Sequence, residues 1–113
     1  MHPCHHSLTS IKLWGGKEED YVDIHNWLDA TKEVWADARH RALRHHSQGI
    51  FEAERVFGLS RINSDGKAVP VRYICEQHIK EDCGGRIPTV QDWLGHIQMQ
   101  PWMNRGYKVE KAQ

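Results

Sequence analysis

The stretch TKEVWADARHRALRHHSQGIFEAERVFG, Thr31 to Gly58, decides how this 113-residue chain reads. On a helical wheel Val34, Trp35, Ala38, Ala42, Gly49, Ile50, Ala53, Val56 and Phe57 share one broad face. Thr31 suits an N-cap, Lys32 and Glu33 fall in the first turn, and Gly58 suits a stop. The phase runs straight through Gly49, which predicts one long helix reaching Phe57. A glycine inside a helix costs about 1 kcal/mol relative to alanine. Here it aligns with Ala38, Ala42 and Ala53 in a small-residue track on which another backbone can pack. A break at Ser47-Gln48-Gly49, giving two helices, is the alternative.

Working outward, residues 4–13 predict a short helix stopped by Gly15-Gly16. Residues 19–29 predict a second, with Tyr21, Ile24, Trp27 and Leu28 on one side. Downstream, Asn63-Ser64-Asp65-Gly66-Lys67 is a turn cluster between Ser60-Arg61-Ile62 and Val69-Pro70-Val71. That pattern predicts a small β-hairpin, kept short by Pro70. A fourth helix runs from about Val71 to Cys83 and ends at Gly84-Gly85. Thr89 N-caps a fifth, about 90–98, that buries Val90, Trp93, Leu94 and Ile97. Pro101 ends the regular structure, with Trp102 and Met103 folding back onto the domain. The fold class is therefore mainly α: a compact domain of about five helices with one small hairpin, spanning 1–103. Residues 104–113 read as a flexible tail.

Lys plus Arg and Asp plus Glu balance at 15 each. Such a balance argues against nucleic acid as the main partner and against an anionic membrane. No apolar run approaches the roughly 20 residues of a membrane span, and residues 1–6 lack the apolar core of a signal peptide. Three cysteines, Cys4, Cys75 and Cys83, do not make a complete disulfide framework. The expectation is a cytoplasmic protein whose thiols are reduced and act as small hydrophobes.

Nine histidines in this length point to metal binding, proton transfer or pH sensing. On the fourth helix Val71, Ile74, Cys75 and Ile79 make an apolar face, and His78 and Asp82 project from its middle at i, i+4. That is the setting of a buried metal site or of a His–Asp pair that only locks the core. His45 and His46 flank the apolar face of the third helix, so either reaches His78 and Asp82 if the two helices pack. His40 lies on the opposite side of the wheel, beside Asp37 and Arg44. His2, His5 and His6 form a terminal cluster that either completes a site or binds stray metal. His25 and His96 read as structural or surface residues. No P-loop, G-x-G-x-x-G, G-x-S-x-G or H-E-x-x-H motif occurs.

The segments Arg39-His40-Arg41-Ala42-Leu43-Arg44-His45, Gly49-Ile50-Phe51, Glu54, Phe57-Gly58, Glu76-Gln77-His78, Glu81-Asp82, Ile87-Pro88 and Asp92-Trp93 together resemble an uncharacterised family of small proteins. These are carried by bacteriophages and bacterial genomes. The resemblance runs from the N-terminal histidines to Trp102. It implies that His40, His45, Glu76, His78, Glu81 and Asp82 are the positions that matter, favours His45 over His46, and argues against thiolate ligands.

The leading expectation is a helical metal-binding protein with His45, His78, Asp82 and His40 as ligands to Zn²⁺, Mn²⁺ or Fe²⁺. A metal-activated water could then hydrolyse a phosphate ester, with Glu81 or Glu76 as general base. Helical His/Asp phosphohydrolases offer an analogy, although no consecutive His-Asp pair occurs here. Two alternatives stand beside it. One is a non-enzymatic phage accessory or counter-defence protein that binds a host protein or sequesters a small anionic ligand. The other is a structural homo-oligomer whose His–carboxylate pairs only organise the core, with Phe51 exposed for association.

Overall fold

The computed structural model describes residues 2–104; the predicted tail beyond Asn104 lies outside the described residues. Helix α1 spans Pro3–Trp14. Pro3 opens it because a first-turn position needs no N–H donor, and Gly15, at φ 81°, closes it by donating its N–H to Ile11 O. A 3-10 turn at Glu18–Asp20 leads into α2, Val22–Asp29. Helix α3 spans Ser47–Phe57, strands β1 and β2 span Ser60–Ile62 and Ala68–Pro70, α4 spans Val71–Asp82 and α5 spans Val90–Leu94. The strands pair antiparallel, Arg61 opposite Val69. The expected fold class holds: helices dominate, with one two-stranded hairpin.

The decisive stretch folds differently from its wheel. There is no continuous helix from Thr31 to Phe57. Residues Ala30–Glu33 and Ala38–Leu43 form 3-10 turns, and only Ser47–Phe57 is α-helical. Thr31 is not an N-cap: its Oγ1 lies 2.8 Å from His40 Nδ1 and 3.2 Å from His40 O, folding the first turn against the second. The cap is His46, whose Nδ1 accepts the Gly49 N–H at 3.0 Å. Val34, Trp35 and Val56, placed on the apolar face by the wheel, are exposed. The break leaves Gly49 with a different job. A Cβ built there would lie 2.0 Å from Arg44 O, so the glycine accommodates the chain's own preceding turn, not a neighbouring helix.

Helices α2 and α4 form the centre, with α1 packed across both and α3 against α4. Tyr21, just before α2, and Ile24 and Leu28 of α2 meet Ile50 and Ala53 of α3 and Val71, Ile74, Cys75 and Ile79 of α4 in one apolar cluster. Asn63 fastens the hairpin turn to this body. Its Nδ2 donates to Trp14 O and to Tyr21 Oη, while its Oδ1 accepts the Asp65 and Lys67 N–H groups. Helix α5 is shorter than expected. Leu94 and Ile97 are exposed, and Trp102, in a last 3-10 turn at Pro101–Asn104, does not fold back. The capping box of Thr89 and Asp92 holds one helical turn, but little apolar surface lies under it to extend the helix. No helix among the described residues is long and apolar enough to cross a membrane.

Gly49→Ala separates the two accounts of the decisive stretch. In an uninterrupted helix it would stabilise by about 1 kcal/mol. In this fold the added methyl meets backbone, so a loss of about 1–3 kcal/mol is expected in chemical denaturation.

Candidate metal centre

The buried faces of α2 and α4 are apolar at one end and polar at the other. On α2 the stripe Ile24-Leu28 is flanked by His25 and Asp29; on α4 the stripe Ile74-Cys75-Ile79 is flanked by Gln77 and His78, all of them buried. His25/Asp29 and His78/Asp82 each stand one turn apart, so each pair projects from one side of its helix. His6, on α1, covers them: its ring stacks on His78 with centroids 3.7 Å apart. His45 closes the group from the turn before α3. The side chains of His6, His45 and His78 are fully buried, and those of Asp29 and Asp82 nearly so.

Three imidazole Nε2 atoms converge on the two carboxylates. His78 Nε2 is 3.2 Å from Asp29 Oδ1 and 3.1 Å from Asp82 Oδ2. His45 Nε2 is 2.9 Å from Asp82 Oδ2 and 3.7 Å from Asp29 Oδ1. His6 Nε2 faces Asp82 Oδ1 at 3.4 Å without a well-directed hydrogen bond. One donor atom each from His6, Asp29, His78 and Asp82 fits within a 4.8 Å span. Ligands about 2.1 Å from a single ion lie within about 4.2 Å of one another, so a small contraction would bring these four round one metal.

The hydrogen bonds behind these rings determine where their protons sit. Gln77 Nε2 donates to His6 O and to Glu81 Oε1, so Gln77 Oε1 must face a donor, the Ser10 hydroxyl. Two oxygens 2.5 Å apart need that proton between them. Ser10 Oγ is then an acceptor for His25 Nε2–H at 2.9 Å. His25 stays neutral: burial, then the neighbouring His78 and His6, push it down to about 2. Its Nδ1 therefore carries a lone pair and accepts from His78 Nδ1–H at 3.0 Å. This leaves His78 Nε2 facing two carboxylates, where only a proton or a cation relieves the contact. On the other side His6 Nδ1 donates to Glu81 Oε1 at 2.8 Å, turning its Nε2 inward as well. A histidine ligand whose second nitrogen is tied to a carboxylate or polar group is the usual arrangement at metal sites.

Electrostatics follow the same plan. Burial lowers the affinity of the His78 imidazole for its proton, but Asp29 and Asp82 outweigh burial and hold its pKa above the ordinary value. Burial also disfavours ionised Asp82, yet the imidazoles of His45, His6 and His78 against it hold its pKa far below the usual carboxylate range. Burial lowers His45 despite Asp82.

The structure sorts the expected residues. His45, His78 and Asp82 are brought together as anticipated. His40 is not: it is buried with Nδ1 on Thr31, its ring edge-on to His45 at 5.7 Å, and it buttresses the site from behind. The 3-10 turn Ala38–Leu43, absent from the wheel, puts it there. Glu76 lies on the outer face of α4, 3.7 Å from Arg72, away from the centre. Glu81 reaches His6 Nδ1 and Gln77, so it orients a ring and does not face the space between the carboxylates. His46 is a cap and His96 is exposed. Cys75 is a buried hydrophobe whose thiol is pushed up to about 12 by burial. Asp29 was not among the expected residues and His25 was expected to be structural, although both are buried within this network. Their i, i+4 spacing, repeated at His78 and Asp82, was the available signal.

His25→Ala removes the acceptor behind His78 without removing any donor atom of the centre. A loss of about 10- to 100-fold in metal affinity, read by competition with a chelating dye, is expected; unchanged affinity would show that the relay does not orient His78.

No curated protein and no solved structure matches the chain. A family model does match, over residues 1–103. The histidine–aspartate centre, from His6 to Asp82, lies wholly within that match, and the chain belongs to the family described as a domain of unknown function, DUF6915.

Proposed function

We propose that this protein binds one divalent transition metal ion, Zn²⁺, Mn²⁺ or Fe²⁺, through His6, Asp29, His45, His78 and Asp82. The observation that carries the reading is the convergence of three Nε2 atoms on two buried carboxylates, with the Nδ1 atoms of His6 and His78 bonded elsewhere. Charge supports a divalent ion: two carboxylates balance two positive charges when the imidazoles are neutral. The mixture of imidazole and carboxylate suits these borderline metals, with no thiolate needed.

The finer reading is hydrolysis. Five protein donors leave one position of a six-coordinate ion for water, and a metal-bound water is acidic enough to attack a phosphate ester near neutral pH. A surface cleft with Asp82 among its lining residues lies beside the centre, and this reading needs it to give a substrate access to the ion. A second reading rests on burial. The donors come from α1, α2, the turn before α3, and α4, and their side chains are nearly closed off from solvent. Closed sites are typical of metals that hold a fold together.

The deciding measurement is metal content of untagged protein purified without a metal column. About one equivalent is expected, falling at least tenfold in His78→Ala and in Asp29→Asn, with helical circular dichroism retained. Less than a tenth of an equivalent, with no uptake from added Zn²⁺ or Mn²⁺, would sink the proposal.

Metal affinity should also depend on pH. The ion must displace the proton that His78 holds above its ordinary pKa, so affinity is expected to rise as pH is raised through that range. An affinity flat between pH 6 and pH 8 would count against His78 as a ligand. Hydrolysis of a generic phosphomonoester that vanishes in His78→Ala would select the catalytic reading, and its absence in fully loaded protein would select the structural one.

A further inference from the structure

Behind Asp82 the surface opens into a cleft of about 370 Å³ between the turn Ala38–Leu43, the end of α4 and α5. That volume falls within the range of small-molecule sites, about 300–1,000 Å³. Its walls include Arg41, Cys83, Arg86, Trp93 and His96, and Asp82 is the residue it shares with the metal centre. We propose that this cleft binds an aromatic phosphate ester, with Arg41 and Arg86 receiving the phosphate and Trp93 lying against the ring. The inference deepens the metal reading and rests on it.

Arg41 is the central group. Its NH1 donates to Asp82 O at 3.1 Å and its NH2 lies 3.8 Å from Asp82 Oδ1. Its Nε is buried and has no hydrogen-bond partner among the described residues. Three-quarters of the side chain is covered, so the guanidinium is held in place by its surroundings. A metal ion on Asp82 takes up the carboxylate charge that now faces Arg41. The guanidinium is then a net cation at the cleft wall, and its planar fork matches phosphate oxygens. Arg86 adds a second cation at the rim, steered by Asp92, 3.2 Å away, which is itself fixed by the Thr89 N–H. A free inorganic anion would use only these cations. The rest of the lining brings carbon and sulfur from Ala38, Cys83, Pro88 and Trp93 beside His96, Asp92 and Arg39, the last of these paired with Asp37. The Trp93 indole N–H is committed to His45 O at 3.0 Å, which fixes the ring and ties it to the turn bearing a metal donor. Such a wall suits a flat apolar group attached to the phosphate.

Because Asp82 belongs to both sites, metal and phosphate ester should strengthen each other's binding by the same factor. The probe is phenyl phosphate, titrated into the full chain by calorimetry, with inorganic phosphate in parallel. Metal-loaded protein is expected to bind phenyl phosphate about tenfold more tightly than inorganic phosphate and about tenfold more tightly than metal-free protein does. Arg41→Gln and Arg86→Gln should each weaken it about tenfold or more, as expected for loss of a charge-assisted bond. Arg86 is exposed, so its variant tests the cleft even if Arg41→Gln unfolds. Unchanged affinity in Arg86→Gln, or no binding by the loaded wild type at 10 mM phenyl phosphate, overturns the proposal. If the protein takes up no metal, the metal reading fails separately. The same titration on metal-free protein then decides the cleft: binding that depends on Arg86 keeps it, and absence of binding removes it.

Discussion

Two carboxylates, Asp29 and Asp82, are buried side by side in a domain of about a hundred residues, and the rest of the structure is arranged to make that tolerable. An isolated buried charge is expensive, and two of the same sign are worse. Here each has imidazoles against it, His78 touching both and His45 and His6 closing on Asp82. These contacts hold α1, α2, α4 and the turn before α3 at fixed separations. The apolar cluster supplies the general driving force for collapse; the charged centre determines how the four segments meet.

The relay from Glu81 and Gln77 through Ser10 and His25 to His78 adds a second constraint. Each partner in it can donate or accept in only one sense once Gln77 is oriented. The relay leaves the inward nitrogen of His78 facing negative charge. Asp29 and Asp82 hold a proton on that nitrogen, and a metal ion taking the proton's place would balance the same two charges.

Parts of this were legible along the chain. His78 and Asp82 showed themselves by i, i+4 spacing on an apolar face, and the hairpin by its turn cluster. His45 followed from the idea that α3 meets α4, which the structure keeps, although through a different local geometry. The long helix was misread because Val34, Trp35 and Ala38 fall in phase with α3 along the chain, although all three are exposed. Periodicity counts faces and does not register that Thr31 Oγ1 and the His46 ring offer the backbone other partners. Glu76 and His40 looked like site residues through the family resemblance, yet one is half-buried beside Arg72 on α4 and the other backs His45.

By itself the sequence determined a mainly helical chain with one hairpin, and a histidine–carboxylate pair on the face of α4 that points inward. Those are consequences of local periodicity, turn chemistry and spacing, which act over a few residues. Only the tertiary structure decided that His6 and Asp29 complete the centre, that His25 is a relay and that Glu81 orients a ring. Those assignments join residues as far apart in the chain as His6 and Asp82. They depend on how α1 crosses α2 and α4, which is set by packing and by the need to neutralise buried charge, and no spacing rule along a single helix encodes that.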